Sequence, residues 1–332
     1  MRELQILEQW RKPFFAACTA LLLITSGCAT PSGSDDQGPP SATGSSSPEA
    51  KSDQATTPKA GGKALVVGAI PDQDPEKLNR LYGDLSAYLS KELGVPVEYK
   101  PVIDYPAAVT AFKVGELDLV WFGGLTGTQA RLQVPGAEAI AQRDIDADFH
   151  SVFIANKGSG IEPFTDLSGL SALKGRTFTF GSESSTSGRL MPQYFMSQAG
   201  VTLADFKGQP GFSDSHDATI KLVEAGSYET GVLNEQVWNS RLEEGAVDES
   251  KVQVVFRTPA YFDYHWILHP DAKAEFGNDL PAKLQQAFLK LNPSDPSQAE
   301  ILELFGAEKF ITTENSNYEQ IEKVGREIGK IK

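Results

Sequence analysis

The folded part of this chain has no cysteine. Both cysteines of the 332 residues, Cys18 and Cys28, lie near the N-terminus, which excludes disulfide frameworks, thiolate zinc sites and cysteine nucleophiles from everything downstream. Positive charge is also scarce. Lys and Arg number 30 against 44 Asp and Glu, for a formal charge of −14, and no basic cluster appears; a nucleic-acid groove needs one to neutralise phosphates. The pattern GxxxxGK[ST] is missing, which removes a P-loop, and GxSxG is missing, which removes the hydrolase elbow. No unit of about 20 to 50 residues repeats. No apolar run reaches the roughly 18 residues that cross a bilayer.

At the N-terminus, Arg11 and Lys12 precede the apolar run FFAACTALLLI (Phe14 to Ile24) and then TSGC. Residues 1–27 read as an export signal. Ser26 and Gly27 before Cys28 resemble the bacterial lipobox, with Thr25 where that pattern has Leu. The resemblance implies that Cys28 is lipidated and becomes the mature N-terminus. Residues 28–63 are dense in Ser, Pro, Gly and Thr with almost no large apolar residue, so they bury too little surface to offset ordering entropy and read as a flexible tether. The expected object is an exported, acidic lipoprotein, periplasmic and anchored to a membrane through its lipid.

From residue 64 strands alternate with helices. ALVVGAI is β-rich and stops at Pro71; Asp74 and Pro75 then supply a cap and a first-turn proline for a helix that Gly94 ends. VPVEYK, LDLVWF, HSVFIAN, RTFTF, VQVVFR and YHWILH read as strands, with helices over about 104–114, 187–199, 215–225 and 235–244. This alternation predicts α/β architecture with a mostly parallel sheet and helices on both faces. Ligands of such sheets sit beyond the carboxyl ends of the strands. The loops at that edge, IPDQD, Asp104–Tyr105, FGGLT, GSESSTSG and the segment around Asp263, are rich in Gly, hydroxyl and aromatic residues.

GSESSTSG carries the clearest chemistry. With Ser187 as helix cap, the amides of Ser187, Gly188 and Arg189 and the hydroxyls of Ser185, Thr186 and Ser187 face one space, suited to a tetrahedral oxyanion without net positive charge. Ser and Thr also cap helices everywhere, which is the plainer reading. Asp144, Asp146 and Asp148 imitate the start of a calcium loop, but Phe149 stands where Gly is required. His265 and His269 lack a third metal ligand in sequence. Ser185, His216 and Asp263 can be written as a triad, yet nothing orders them. Trp121, Phe122, Tyr261 and Trp266 suit either a cleft wall or a core.

The pieces DYPAAVTAFKVGELDLVWFGGLTGTQA, FHSVFIANKGS, TFTFGSESSTSGRLMPQYF, FSDSHDATIKLVEAG and TPAYFDYHW, spread over 64–330, resemble the phosphonate/phosphite class of ABC-transporter substrate-binding proteins. Within it they are most similar to a subgroup labelled selenate-binding. The resemblance implies the type II periplasmic-binding-protein fold: two α/β lobes joined by two crossover strands, lobe 1 from 64–148 and 262–332, lobe 2 from 149–261. It implies a non-enzymatic role without cofactor or metal, capturing a small oxyanion for a permease and an ATPase. Carried over by residue, it places Tyr105, Phe122, Ser185, Thr186, Ser187, His216 and Asp263 at the ligand. Phe149 stands where some members have Tyr. At Asn234–Gln236, where members taking aminoalkyl phosphonates carry a carboxylate, the register allows Glu235 or Gln236.

Asp263 bears on the ion. A carboxylate repels a dianion but accepts a hydrogen bond from P–O–H; two like charges about 4 Å apart at an effective dielectric near 20 cost on the order of 4 kcal/mol. Phosphite or a small phosphonate is therefore expected if Asp263 meets the ligand. Selenate is the alternative if it points away. The competing classes are an exported serine esterase or phosphatase, and a sensory or structural lipoprotein.

Overall fold

The computed structural model describes residues 62–332. The export-signal run, Cys28 and nearly all of the tether lie outside them. Two sheets organise the rest. One is ordered β11-β4-β10-β3-β1-β2 and the other β7-β6-β8-β5-β9. The first takes β1 (Leu65–Ala69), β2 (Val97–Tyr99), β3 (Leu119–Phe122) and β4 (Glu138–Arg143) from the beginning of the chain, and β10 (His265–Leu268) and β11 (Phe310–Thr312) from its end. The second is built from β5 (Ser151–Asn156), β6 (Phe178–Phe180), β7 (Gly211–Phe212), β8 (Thr230–Asn234) and β9 (Val252–Arg257). This is the two-sheet, two-crossover architecture of type II periplasmic binding proteins.

Local chemistry starts the helices that carry the site. In α1 (Pro75–Leu93) the Asp74 carboxylate accepts the amides of Glu76 and Lys77, Pro75 occupies the first turn, and Gly94 closes the helix at φ +69°. Asp104 caps α2 (Tyr105–Lys113) through the Ala107 amide at 2.7 Å. A third helix, α3 (Gly124–Gln133), begins inside FGGLT, a stretch that reads as a loop because Gly123 caps it without a side chain. Three helices flank the second sheet: α4 (Met191–Gln198), α5 (His216–Glu224), capped by Ser215, and α6 (Glu235–Glu243), capped by Asn234.

The expectation of a mostly parallel sheet needs correction. Five of the nine strand pairings are antiparallel. The cause is the crossing itself: β5 enters the second sheet against β8 and β9, and β10 returns between β3 and β4 against both. The crossovers are hydrogen-bonded to each other. Phe149 N donates to Tyr261 O at 2.9 Å and Tyr261 N to Phe149 O at 3.0 Å. Below the first sheet, Trp266 packs on Trp121, Tyr82, Phe288 and Phe305. Of the four aromatics with two readings, Trp266 is therefore core.

Candidate functional site

The hydroxyl-rich segment is shaped by a wide turn. Ser185, not Ser187, is the cap: its Oγ accepts the Gly188 amide at 2.9 Å, and Leu190 N reaches back to Ser185 O at 3.0 Å, which makes Thr186–Leu190 a π-helical turn leading into α4. The expected start thus moves by two residues, and the Gly188 amide is already occupied. Gly188 allows this by close approach. A Cβ there would sit 3.1 Å from Gly181 Cα, 3.0 Å from Ser185 Oγ and 3.3 Å from His216 Cε1.

Each hydroxyl of the trio faces a group from another element. Ser185 lies beside the Tyr105 hydroxyl of α2. Thr186 Oγ1 accepts the Leu125 amide at 2.9 Å and lies beside the Asp263 carboxyl. Asp263 Oδ1 also accepts the Gly124 amide at 2.9 Å, so the first amides of α3 hold both partners. A side chain at Gly123 would bring its Cβ to 3.0 Å from Thr186 Oγ1. Ser187 O accepts from Ser151 Oγ at 2.7 Å, Ser151 Oγ lies 2.6 Å from Tyr261 OH, and the Ser187 hydroxyl lies beside that same phenol. Of the thirteen buried side-chain atoms without a hydrogen-bond partner among the described residues, three belong to the groups just named: Tyr105 OH, Ser187 Oγ and Asp263 Oδ2. Buried polar atoms are rarely left so, and a cluster of them calls for an explanation.

A second network crosses the cleft at Tyr264. Its hydroxyl lies 3.2 Å from His216 Nε2 and accepts Asn234 Nδ2 at 3.1 Å, while the Asp72 carboxyl on the loop after β1 lies close to it. His216 N donates to Asp72 O at 3.0 Å and His216 Nδ1 accepts the Asn234 amide at 3.4 Å. That acceptor role makes Nε2 the protonated nitrogen of a neutral ring. Among residues 234–236 it is Asn234 that turns inward. Glu235 pairs with Arg257, and Gln236 lies against Gly306 and 3.5 Å from Arg143. Phe122 packs edge-on against Phe112 in the core, 5.7 Å between centroids, and leads directly into Gly123 and Gly124.

The electrostatics follow from burial. Loss of water pushes Asp263 up to about 7 against the bonds from Gly124 and Thr186, and pushes Asp72 up to about 6; it lowers His216 to about 4. Burial also disfavours the Arg143 charge, but the Asp146 carboxylate, held through Nε at 2.8 Å and Nη2 at 2.7 Å, outweighs it. The site is therefore lined by neutral donors and by two carboxyls that ionise within about a unit of neutrality. The paper triad dissolves: Ser185, His216 and Asp263 are each bonded to other partners. His265 stacks on Tyr318, and His269 caps the following helix by accepting the Asp271 amide. Among the described residues no group of three metal-ligating side chains forms.

Sequence reasoning missed Gly124, Leu125, Ser151, Asn234, Asp72 and Tyr264 as parts of this assembly. Tyr264 stands next to Asp263, and Asp72 lies in a loop already marked by its position at the strand ends. The α3 amides carry no side-chain signal.

The family model for ABC transporter, phosphonate, periplasmic substrate-binding protein matches residues 67–318. The chain belongs to this family. It is a periplasmic substrate-binding protein of a phosphonate-class ABC transporter, a binding component and not an enzyme. The probable ABC transporter phosphite binding protein PhnD1 of Prochlorococcus marinus (strain MIT 9301) is 48% identical over 271 residues, 81% of this chain and 91% of that protein. The structure of PhnD1 from Prochlorococcus marinus in complex with methylphosphonate superimposes with a TM-score of 0.79, covering 81% of this chain and 99% of that one. The phosphonates-binding periplasmic protein of Escherichia coli (strain K12) is 31% identical over 149 residues, 44% of this chain and 43% of its own. Among the described residues of this family member, no helix is long and apolar enough to cross a membrane.

Proposed function

We propose that this protein captures phosphite or a small phosphonate such as methylphosphonate, and delivers it to its permease by closure of two lobes, 64–148 with 262–332 against 149–261. The observation that carries the reading is the set of buried, unpartnered atoms, Tyr105 OH, Ser187 Oγ and Asp263 Oδ2. They come from α2, the hydroxyl turn and the second crossover. One small oxyanion touching all three would hold both lobes at once. Ser185, Thr186 and His216 frame it, and Phe122 supports the glycines from which α3 starts.

Asp263 selects the ion. Near pH 7 its carboxyl is about half protonated; as an acid it donates to an oxyanion, and as a carboxylate it accepts only from a P–O–H group. Phosphite and methylphosphonate carry such a proton near neutrality, whereas sulfate and selenate do not. Asn234, rather than a carboxylate, at the inward position offers no counter-charge for an amine, which supports a compact ligand. The similarity to a phosphite-binding protein and to a methylphosphonate complex points the same way. Cys28 is the proposed lipid attachment, tethering the binding lobes to the membrane.

Thermal-shift measurement with phosphite, methylphosphonate, phosphate, sulfate and selenate tests the assignment. Phosphite or methylphosphonate should raise the melting temperature most, because a ligand bound only by the native state stabilises it in proportion to occupancy. A larger shift with selenate than with either would overturn it.

A further inference from the structure

The two proposed lobes also touch away from the oxyanion site. The loop after β1 meets the start of α5 through two bonds: Asp72 O accepts the His216 amide at 3.0 Å, and the Asp74 amide donates to Asp217 Oδ2 at 2.9 Å. Three residues on, Lys77 of α1 reaches α6, where Nζ donates to Ser240 Oγ at 3.0 Å and to Glu244 Oε1 at 3.2 Å. Arg241 joins the two contacts, pairing with Asp217 on one side and with Glu244 on the other. Two cations and two carboxylates thus meet across the seam. Burial raises the Glu244 carboxyl, but the bonds from Arg241 and Lys77 outweigh it and hold it below its ordinary range. The side chains of Lys77 and Arg241 are only 10% exposed. The pair of Lys330 with Glu183 also crosses the seam, but its carboxylate is 63% exposed and such pairs carry little energy.

We propose that Lys77 is a positioning residue for ligand retention: it latches α1 to α6 beside the Asp74–Asp217 contact when the lobes close, and so slows release of an oxyanion bound elsewhere. This rests on the closure proposed above. The latch is coupled to the site through neighbours in sequence. His216 frames the ligand and Asp217, next to it on the first turn of α5, holds the Asp74 amide. Opening the seam takes Lys77 and that amide away together. It leaves two carboxylates against one guanidinium in this group and a lysine without its partners, so the charges favour the closed form. Linked ion pairs weigh more than isolated ones because the side chains that make them are already ordered by one another. These bonds break on the way to the open form, and their effect therefore falls on dissociation.

Isothermal titration of methylphosphonate, and release of radiolabelled methylphosphonate chased with excess unlabelled ligand, test this on the full chain in wild type, Lys77→Met, Lys77→Arg, Glu244→Gln and the variant carrying both Lys77→Met and Glu244→Gln. Lys77→Met should speed release by about three- to tenfold and weaken affinity in proportion. Lys77→Arg, which keeps the charge, should recover most of the loss. The gap between wild type and Lys77→Met should narrow in about 1 M NaCl, where the screening length falls to about 3 Å; a loss of packing would not respond to salt. The double variant should lose less than the two single variants added together, as partners in one contact do. Wild-type release in Lys77→Met, a deficit indifferent to salt, or additive single losses overturns the latch and leaves the oxyanion reading standing. Failure of wild type to bind either phosphite or methylphosphonate overturns the oxyanion reading, and the latch with it.

Discussion

The Oγ1 of Thr186, in the turn after β6, accepts the main-chain amide of Leu125, in the helix after β3, at 2.9 Å. One hydroxyl thereby ties the turn after β6 to the helix after β3 and lies beside the Asp263 carboxyl. Replacing it with alanine leaves a buried amide without an acceptor, at a cost of about 1 to 3 kcal/mol. Thr186→Ala should therefore weaken methylphosphonate binding by about 5- to 100-fold, and Thr186→Ser should restore most of it. Titration calorimetry on both variants reads the effect; equal affinity in Thr186→Ala and wild type refutes the role.

Tyr105 and Ser187 present the opposite case. Their hydroxyls lack regular partners in the protein itself, so removing them takes away no internal bond. Tyr105→Phe and Ser187→Ala should keep the ligand-free melting temperature or raise it slightly, while each loses about 1.5 to 3 kcal/mol of binding to the oxyanion. A drop in ligand-free stability with unchanged affinity would mean that these hydroxyls serve the fold.

Asp263 makes binding of a proton-free dianion depend on pH. Its carboxyl holds a proton below about 7 and loses it above. Selenate affinity should accordingly fall as pH rises through 7, by up to about tenfold per unit. Asp263→Asn should flatten that profile. A selenate affinity independent of pH in the wild-type protein argues that Oδ2 does not face the ligand.

His216 titrates in the reverse sense. The folded protein refuses its proton until about pH 4, whereas the unfolded chain accepts it near the ordinary 6.5. The stability tied to the neutral ring is complete above 6.5 and is lost as pH falls toward 4. Asp72 and Asp263 oppose it, since the folded state keeps their protons up to about 6 and 7 while the unfolded chain releases them near 3.8, so they cost stability as pH rises from 3.8 to those values. His216→Gln should reduce the acid-side loss by at most about 3 kcal/mol. Ring resonances of His216 should show the Nε2–H tautomer from pH 8 down to 5; a midpoint near 6.5 contradicts the assignment.

How far these features could be read from the chain depended on whether they are local. The Asp74–Pro75 start of α1 and its Gly94 end involve neighbours in sequence, and they appear where predicted. The direction of β10 does not: HWIL reads the same whether it runs with or against β3, and only the return of the chain from the second sheet decides. The density of hydroxyls marks the segment at 182–187. Its partners at Leu125 and Gly124 are main-chain amides, 61 positions from Thr186 and 139 from Asp263, in a stretch whose glycines suggest a loop. The displaced cap has a similar origin, because Ser185 is chosen over Ser187 by the contact between Gly188 and Gly181.

The paired crossovers give Phe149 and Tyr261 two duties. In the proposed closure the same two residues form the axle on which the lobes turn and part of the surface beside the ligand. Any rotation that parts the lobes must also twist that surface, so loosening the grip and swinging the hinge are a single mechanical event. A transporter that prises the lobes open would thereby eject the cargo without needing to touch it.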